Sequence, residues 1–437
     1  MKQEATLLFF NHHLLIPQVQ LSPSMSVEEL QARVAKLSAE IQTQKEVLRR
    51  LEESRWATQR ELNAIHVPIA ALPFELSSEI FLQCLPPSPS PNKPYEAPML
   101  LMNVCRAWTQ VALSTPLLWT SIDLRCQRVD GLQFWLDRAQ HCPLSITLHK
   151  RLNTDASAVF GHYAPQLKHL TLCEAGSYVH LSPSFPRLET LTLGSPETLL
   201  ATLRTNSLNE WKIGDVARLL SLAPNLVRFA SHTANLGSSD TDPDSDLPTL
   251  ILPNLRYLEF GVLKAGHKLM ACLTLPALET LRMPLEQDSF ISLSLFLQRS
   301  ASPLRKLLLD GGQSAEVVQY LRLLPSLIHF DWLVSSESRA LGVLTALFVS
   351  ESLLPNLRSL KVRSWNPISA LHPTALRMLS ARHPQLARFH LFGKHQSKPD
   401  AEILDGFRRL VAEGMEIAIG EQTFDEGRRK MITTNYI

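Results

Sequence analysis

One apolar phrase recurs through the C-terminal two thirds of the chain, and it restricts the folds that this chain can adopt. The phrase is Pro-x-Leu-x-x-Leu-x-Leu, as in the segment from Pro165 to Leu172. Its first leucine returns on average about every 24 residues, which is the period of an array of strand-and-helix units. These first leucines are Leu167, Leu188, Leu208, Leu226, Leu255, Leu278, Leu304, Leu327, Leu357 and Leu386.

The positions three and five residues after each first leucine are also apolar, with Ser231 as the polar exception. Because side chains alternate between the two faces of a strand, this spacing predicts strands that share one buried face. Proline just before a strand costs no ladder hydrogen bond and stops a preceding helix. The predicted fold class is therefore α/β, with the strands stacked into a solenoid over residues 120–425.

This pattern resembles leucine-rich repeats, although of an irregular kind. Regular repeats place an asparagine after the last leucine, but Gly194, Gly261 and Asp310 stand there in this chain. A ladder of hydrogen-bonded side chains is therefore not expected.

The two ends of the array have their own patterns. Apolar spacing over residues 122–148 predicts a strand, a helix and a second strand. Residues 401–414 are predicted as a helix, and alternation over 415–419 predicts a final strand. The tail at 426–437 is expected to fray.

A heptad pattern precedes these elements and predicts one long helix over residues 26–67. Two interpretations remain open: two copies pair as a coiled coil through 27–66, giving a homodimer, or a single helix folds back on the next segment. Polar residues at three seam positions weaken the first interpretation. Residues 1–25 are predicted to be disordered. The seam residues are Val27, Leu30, Val34, Leu37, Ile41, Gln44, Leu48, Leu51, Arg55, Thr58, Leu62 and Ile65.

Three motifs follow in a fixed order between the long helix and the array. They are Leu-Pro-x-Glu-Leu-x-x-Glu-Ile from Leu72, Val-Cys-Arg-x-Trp from Val104, and Pro-x-Leu-Trp from Pro116. Apolar residues spaced by four in the first motif predict one face of a helix, and a second helix is predicted over residues 99–113. Two helices this short need a partner to bury their apolar surface.

Residues 68–119 resemble the F-box, the small helical module that docks on a Skp-type adaptor, and they look like the large F-box families of mushroom-forming fungi. The resemblance implies a substrate receptor of a cullin–RING ubiquitin ligase, in which the array holds an unknown target protein. The chain itself would not be an enzyme. The adaptor-binding residues that the resemblance implies are Leu72, Pro73, Leu76, Ile80, Val104 and Trp108.

The side chains that alternate with the buried leucines are predicted to form the face that binds the target. Their charges are of both signs, which favours a protein partner over a polyanion. The residues assigned to this face are His169, Arg228, Tyr257, Glu259, Arg282, Lys306, Asp331, Lys361 and Arg388, with Glu210 and Lys212 beside them.

Composition and motifs argue against several other classes of protein. A formal net charge of +2 argues against a nucleic-acid binder. The six cysteines form no Cys-x-x-Cys pair, so a cytoplasmic or nuclear protein without a metal site is expected. No apolar run is long enough to cross a membrane. No catalytic or phosphate-binding motif occurs, so no cofactor is expected. Two rival functions remain: a scaffold without ligase activity, and an enzyme with an unrecognised site.

Overall fold

The computed structural model describes most of the chain beyond the N-terminal segment. The prediction for residues 1–25 lies outside the described residues. The described ranges are 27–65, 72–87, 95–125, 129–150, 152–174, 184–194, 211–232, 236–237, 249–261, 266–285, 289–394, 397–425 and 430–436.

The protein is a mixed α/β structure built on one large sheet. Each strand of this sheet pairs in parallel with the next, and the last pair alone is antiparallel. In spatial order the thirteen strands among the described residues are β1 (Ser121–Leu124), β2 (Leu144–Leu148), β3 (Leu167–Leu172), β4 (Thr190–Leu193), β6 (Arg228–Ser231), β9 (Tyr257–Phe260), β11 (Thr280–Leu285), β12 (Lys306–Gly311), β13 (His329–Val334), β14 (Ser359–Ser364), β15 (Arg388–Gly393), β16 (Glu416–Asp425) and β17 (Lys430–Asn435).

Four shorter strands lie outside this sheet. They form two parallel pairs, which are β5 (Trp211–Lys212) with β7 (Leu236–Gly237), and β8 (Leu250–Ile251) with β10 (Leu273–Thr274).

The register of the sheet aligns the repeated apolar positions in rows. Leu170 pairs with Leu191, which pairs with Phe229, and Phe229 pairs with Leu258. All four side chains are buried. Ser231, the polar exception in the pattern, lies two residues after Phe229 and belongs to the next row of paired residues. It is also buried, at 2% exposed. Alternation along each strand therefore builds one continuous core beneath the sheet.

Helices return the chain from one strand to the next and pack side by side in a second layer. The thirteen helices of the described residues are α1 (Val27–Ile65), α2 (Phe74–Gln83), α3 (Met99–Met102), α4 (Arg106–Leu113), α5 (Val129–Ala139), α6 (Thr154–Tyr163), α7 (Ile213–Ser221), α8 (Gly266–Cys272), α9 (Ser289–Ser300), α10 (Ser314–Arg322), α11 (Glu337–Val349), α12 (His372–Arg382) and α13 (Ala401–Ala412).

Arginine side chains join neighbouring helices in this layer. Arg382 of α12 is 6% exposed, and its guanidinium donates hydrogen bonds at 2.7–3.3 Å to two carbonyls at the C-terminal end of α11 and to two in the segment that follows it. Arg299 of α9 donates in the same way to the carbonyls of Met270 and Leu273 at the end of α8. Since the last carbonyls of a helix lack partners within it, each arginine satisfies the end of the preceding helix.

Asparagines of the Pro-Asn-Leu sequences also connect successive units. Asn225 Nδ2 donates to the carbonyl of Pro186 at 2.8 Å, and Asn254 Nδ2 donates to Asn225 Oδ1 at 3.2 Å. Asn356 repeats the first contact with Pro325 at 3.0 Å. These asparagine hydrogen bonds connect successive units just before their strands begin.

One of the ten predicted repeat phrases does not enter the large sheet. Trp211 lies in the two-residue strand β5, and Ile213 begins α7. Both side chains are buried, together with Val216 and Leu220 of the same helix. The prediction of a sheet strand here is wrong because the apolar residues continue at helical steps after Ile213, and the helix buries them.

Two boundaries also differ from those predicted. The helix expected over residues 99–113 is divided into α3 and α4, because Cys105 is extended, with φ −160° and ψ 171°. Thr109 Oγ1 lies 2.8 Å from the carbonyl of Met102 and stabilises the break. The tail expected at 426–437 instead supplies β17, which pairs with β16 and extends the sheet by an antiparallel strand.

Helix α1 contacts α4, yet its apolar seam faces away from the other residues that the structure describes. Trp56 and Glu46 are half-buried, whereas the apolar seam residues whose side chains are described are exposed. Within the described part of the chain, no helix combines the length and the apolar character that crossing a membrane requires.

Candidate protein-interaction surfaces

Helix α2 is held to the rest of the protein by one of its faces. Phe81 is fully buried, and its ring centroid lies 5.0 Å from that of Trp108 on α4. Ser77, one turn earlier, is 1% exposed. Ser78 Oγ, which donates to the carbonyl of Phe74, also lies 3.1 Å from Thr115 Oγ1. These contacts fix the side of α2 that faces inward.

Large apolar residues on α2 and just before it are uncovered, beside exposed polar side chains of the same helix. The side chains of Leu72, Phe74, Leu76 and Ile80 are 39%, 45%, 54% and 42% exposed. Exposing four large apolar residues within nine positions to water is unfavourable, and patches of exposed apolar residues mark interaction sites. We call these four residues the α2 patch.

The structure brings together part of the predicted adaptor site. Leu76 and Ile80 lie on the exposed side of α2, and Leu72 and Pro73 lie at its start. Val104 is half-buried in the turn between α3 and α4, and Trp108 is half-buried against Phe81. Sequence reasoning missed Phe74, whose aromatic side chain beside Leu72 was a signal that it could be exposed for binding.

Trp119 joins the helical segment to the sheet. It is fully buried, its Nε1 donates to the carbonyl of Ala112 at 2.9 Å, and its ring meets Trp135 edge-on. The chain then enters β1 within two residues. Because Trp119 has a buried contact on each side of the junction, little freedom remains between α2–α4 and the first strand.

The second surface is the side of the sheet opposite the helices, which we call the open sheet face. Of the predicted target-binding residues, Glu210 lies outside the described part and Lys212 lies on β5, away from this sheet. Exposed members of the face are His169, Arg228, Lys306 and Arg388; half-buried members are Tyr257, Arg282, Asp331 and Lys361.

Glu259 differs from the other members, because it is 4% exposed despite its outward strand position. Arg282 Nη1 donates to its Oε1 at 3.0 Å, and the Tyr257 hydroxyl donates to its Oε2. Arg228 lies 3.6 Å from the same carboxylate and stacks over the Tyr257 ring, while His232 lies 3.8 Å from it. The carboxylate is thus the centre of a cluster that holds two guanidinium groups in place.

The cluster around Glu259 changes the titration of its neighbours. Burial, with the hydrogen bond donated to Glu259, raises the pKa of Tyr257 to about 12. Burial lowers the pKa of His232 more than the Glu259 carboxylate raises it. Burial also raises the pKa of Asp310, against the opposing effect of Arg282. Tyr257 is therefore a neutral hydrogen-bond donor at physiological pH.

A second ion pair and a group of basic residues occupy the face beyond this cluster. Arg363 Nη2 lies 3.0 Å from Asp331 Oδ1. Burial, together with the positive charges of Lys306 and Arg388, lowers the pKa of His329. The face therefore offers positive groups beside paired charges, as a surface that binds a protein does.

Clefts of the described chain also lie outside these two surfaces. A cleft of about 490 Å³ between α10 and α11 is lined by Leu321, Val349 and Leu353, and Arg322 is its one charged side chain. Among the described residues, no three His, Cys, Asp or Glu side chains are grouped as metal ligands would be. The four aspartates between residues 240 and 246 lie outside the described residues.

Comparison with protein-family models gave no match, and comparison with curated protein sequences gave none either.

Proposed function

We propose that this chain is the substrate-recognition subunit of a Skp–cullin–F-box ubiquitin ligase in the cytoplasm or nucleus. Residues 68–119 form an F-box-like module that docks a Skp-type adaptor through the α2 patch. Residues 120–425 form an irregular leucine-rich-repeat array, whose open sheet face binds the target protein. The chain performs no bond chemistry and needs no cofactor.

The observation that carries this proposal is the exposure of the α2 patch on a helix that is held to the rest of the protein through the buried Phe81. Phe81, Trp108 and Trp119 bury the inner side of the helical module, so its uncovered apolar residues are not required for its own core. Burying apolar surface is worth about 25 cal/mol per Å², which makes such a patch a favourable site for a partner helix. The same positions carry the motif that resembles the F-box.

The junction at Trp119 supports the proposed mechanism. A ligase receptor acts by holding its target at a high effective concentration beside a ubiquitin-loaded enzyme. Effective concentration falls when the linkage is long and flexible. The buried contacts of Trp119 with Ala112 and Trp135 make the linkage short and stiff.

The test is capture of a purified Skp-type adaptor by the full chain. The double variant Leu72→Asp/Ile80→Asp places two charges in the α2 patch and is expected to abolish capture. Ile291→Asp is the matched control, since Ile291 is 68% exposed on α9 and lies outside the patch. It is expected to capture the adaptor as the unaltered chain does.

Circular dichroism establishes that each variant is folded. If the unaltered, folded chain fails to capture the adaptor, the ligase proposal is wrong. If the double variant still captures the adaptor, the α2 patch is not the docking site.

A scaffold without ligase activity is the second candidate. The exposed seam of α1 favours it, because docking of an adaptor on α2 does not use that surface. This candidate predicts that Leu72→Asp/Ile80→Asp leaves assembly through α1 and the open sheet face unchanged, and that no adaptor is captured. The adaptor experiment therefore separates the two functions.

A further inference from the structure

Helix α1 exposes an apolar seam for most of its length. Six apolar seam residues are each 50–63% exposed, which is unusual for large aliphatic side chains placed in register along one face of a helix. They are Leu30, Val34, Leu37, Ile41, Leu48 and Leu51. A helix with this seam is stabilised when the seam packs against another helix.

Several charged residues away from the seam are paired within the helix. Arg49 forms ion pairs with Glu46 and Glu53, and Arg50 Nε lies 3.2 Å from Glu46 Oε1. Glu40 and Lys45, which flank the seam, take part in no ion pair found among the described residues. The helix surface thus has a self-paired side and a side on which opposite charges border uncovered apolar residues.

A groove on α1 coincides with the seam. It has a volume of about 460 Å³ and is lined by Leu37, Glu40, Ile41, Gln44, Lys45 and Leu48. In a heptad in which Ile41 and Leu48 are a positions, Leu37 and Gln44 are d, Glu40 is g and Lys45 is e. A coiled-coil knob fits a hole made by four residues of the facing helix. These six residues form two consecutive holes, which would receive Ile41 and Gln44 of an identical helix.

The residue types at these positions favour one arrangement. Val34 and Ile41 are β-branched residues at a, and Leu30 and Leu37 are leucines at d, a combination that favours two parallel strands. In a parallel pair, a g residue faces the e residue five positions on in the other helix. Glu40 of each helix then faces Lys45 of the other, so that opposite charges meet on both sides of the groove.

We propose that residues 27–51 form a parallel two-stranded coiled coil with a second copy of this chain. Gln44 of the two copies then meet in one polar layer, which fixes the register. Arg55, the next polar seam residue at an a position, ends the favourable part of the seam. The dimer carries two open sheet faces and gains avidity for a target with two binding segments. This proposal does not rest on adaptor docking.

The first experiment is sedimentation velocity of the full chain at micromolar concentration. The unaltered protein is expected to sediment as a dimer, at twice the chain mass of 49.1 kDa. Ile41→Asp is expected to give a monomer, because it places a charge from each copy inside the seam. Thr43→Asp, on the outward side of the same turn, is the matched control and is expected to remain a dimer.

A monomeric unaltered chain, a higher oligomer, or a dimer that survives Ile41→Asp would each overturn the proposal. Circular dichroism of the variants separates loss of pairing from loss of the array fold. Orientation is tested by oxidising Leu30→Cys, with the unaltered chain as the background for native cysteines. A covalent dimer of Leu30→Cys alone supports the parallel arrangement. A disulfide that forms only when Leu30→Cys chains are mixed with Leu62→Cys chains would show an antiparallel pair and overturn the proposal.

Discussion

The ring of Trp119 lies edge-on to that of Trp135, with centroids 5.0 Å apart and the planes at 79°. This contact joins the segment that carries the α2 patch to the first strand-and-helix unit. Both rings are fully buried, so the junction is part of the core and not a linker. Because the junction is rigid, a partner bound to α2 would be held in a fixed position relative to the open sheet face.

Removing the Trp119 ring should loosen the junction. We expect Trp119→Ala to lower the free energy of unfolding by about 3–5 kcal/mol, because a large buried side chain leaves a cavity. Trp119→Phe keeps most of the apolar contact and should cost less. Urea denaturation followed by circular dichroism measures both, and equal stabilities of the two variants would show that the ring does not support the junction.

Arg382 should stabilise the helix layer through the end of α11. Arg382→Met removes four hydrogen bonds to carbonyls that stay buried, and a loss on the order of 2–4 kcal/mol is expected. Arg322→Met is the matched control, since Arg322 lies at the end of α10 but is exposed. Chemical denaturation of the two variants provides the comparison; similar midpoints would contradict the assigned role of Arg382.

The Glu259 carboxylate should hold the guanidinium groups of the open sheet face. Glu259→Gln leaves Arg228 and Arg282 without their shared negative charge, and a loss of about 1–3 kcal/mol is expected after solvent screening of these half-exposed groups. Glu279→Gln is the control, because Glu279 forms an exposed pair with Arg256. Thermal unfolding of both variants measures the difference, and an unchanged Glu259→Gln protein would show that the cluster does not stabilise the face.

The protein should become less stable as the pH falls below 6.5. Burial lowers the pKa of His169, His232, His329 and His372 in the folded chain. The unfolded chain therefore takes up protons first, and stability present above pH 6.5 is lost as the pH falls through the lower folded values.

Urea midpoints at pH 7.5, 6.5 and 5.5 would measure this loss. The slope of the urea midpoint against pH, below pH 6.5, should be shallower for His372→Leu, which removes one of the four titrating groups. Only the slope is compared, because the substitution itself can change the stability at every pH. A flat profile for the unaltered protein between pH 7.5 and 5.5 would contradict the prediction.

The sequence allowed the strands to be located because the signal for a strand is local. The first leucine and the apolar residues three and five positions later repeat the alternation of a strand, and nine of the ten phrases lie in the large sheet. The tenth failed at Trp211 because the residues after it, from Ile213, continue at helical spacing. Whether these residues formed a strand or a helix depended on which of the two could bury their apolar side chains.

The α2 patch was predictable in part for the same reason. Spacing by four placed Leu76 and Ile80 on one helix face, but the sequence did not say which face of α2 would be uncovered. That was decided by Phe81 packing on Trp108, which turns Leu76 and Ile80 outward. Phe74 is exposed because it lies at the first position of the helix. The exposed seam of α1 is similar. Its heptad is evident in the sequence, but the sequence does not show that no described element of the protein covers it.

What the sequence determined by itself was the order of the elements and the side of each strand that is buried, since these follow from periodicity along a short stretch of chain. The tertiary structure alone decided the burial of Glu259, the helix-end contacts of Arg382 and the pairing of β17 with β16. Each of these depends on groups from a different unit of the fold, brought within hydrogen-bonding distance only when the strands align. Local alternation carries no information about which distant charge or carbonyl will lie opposite.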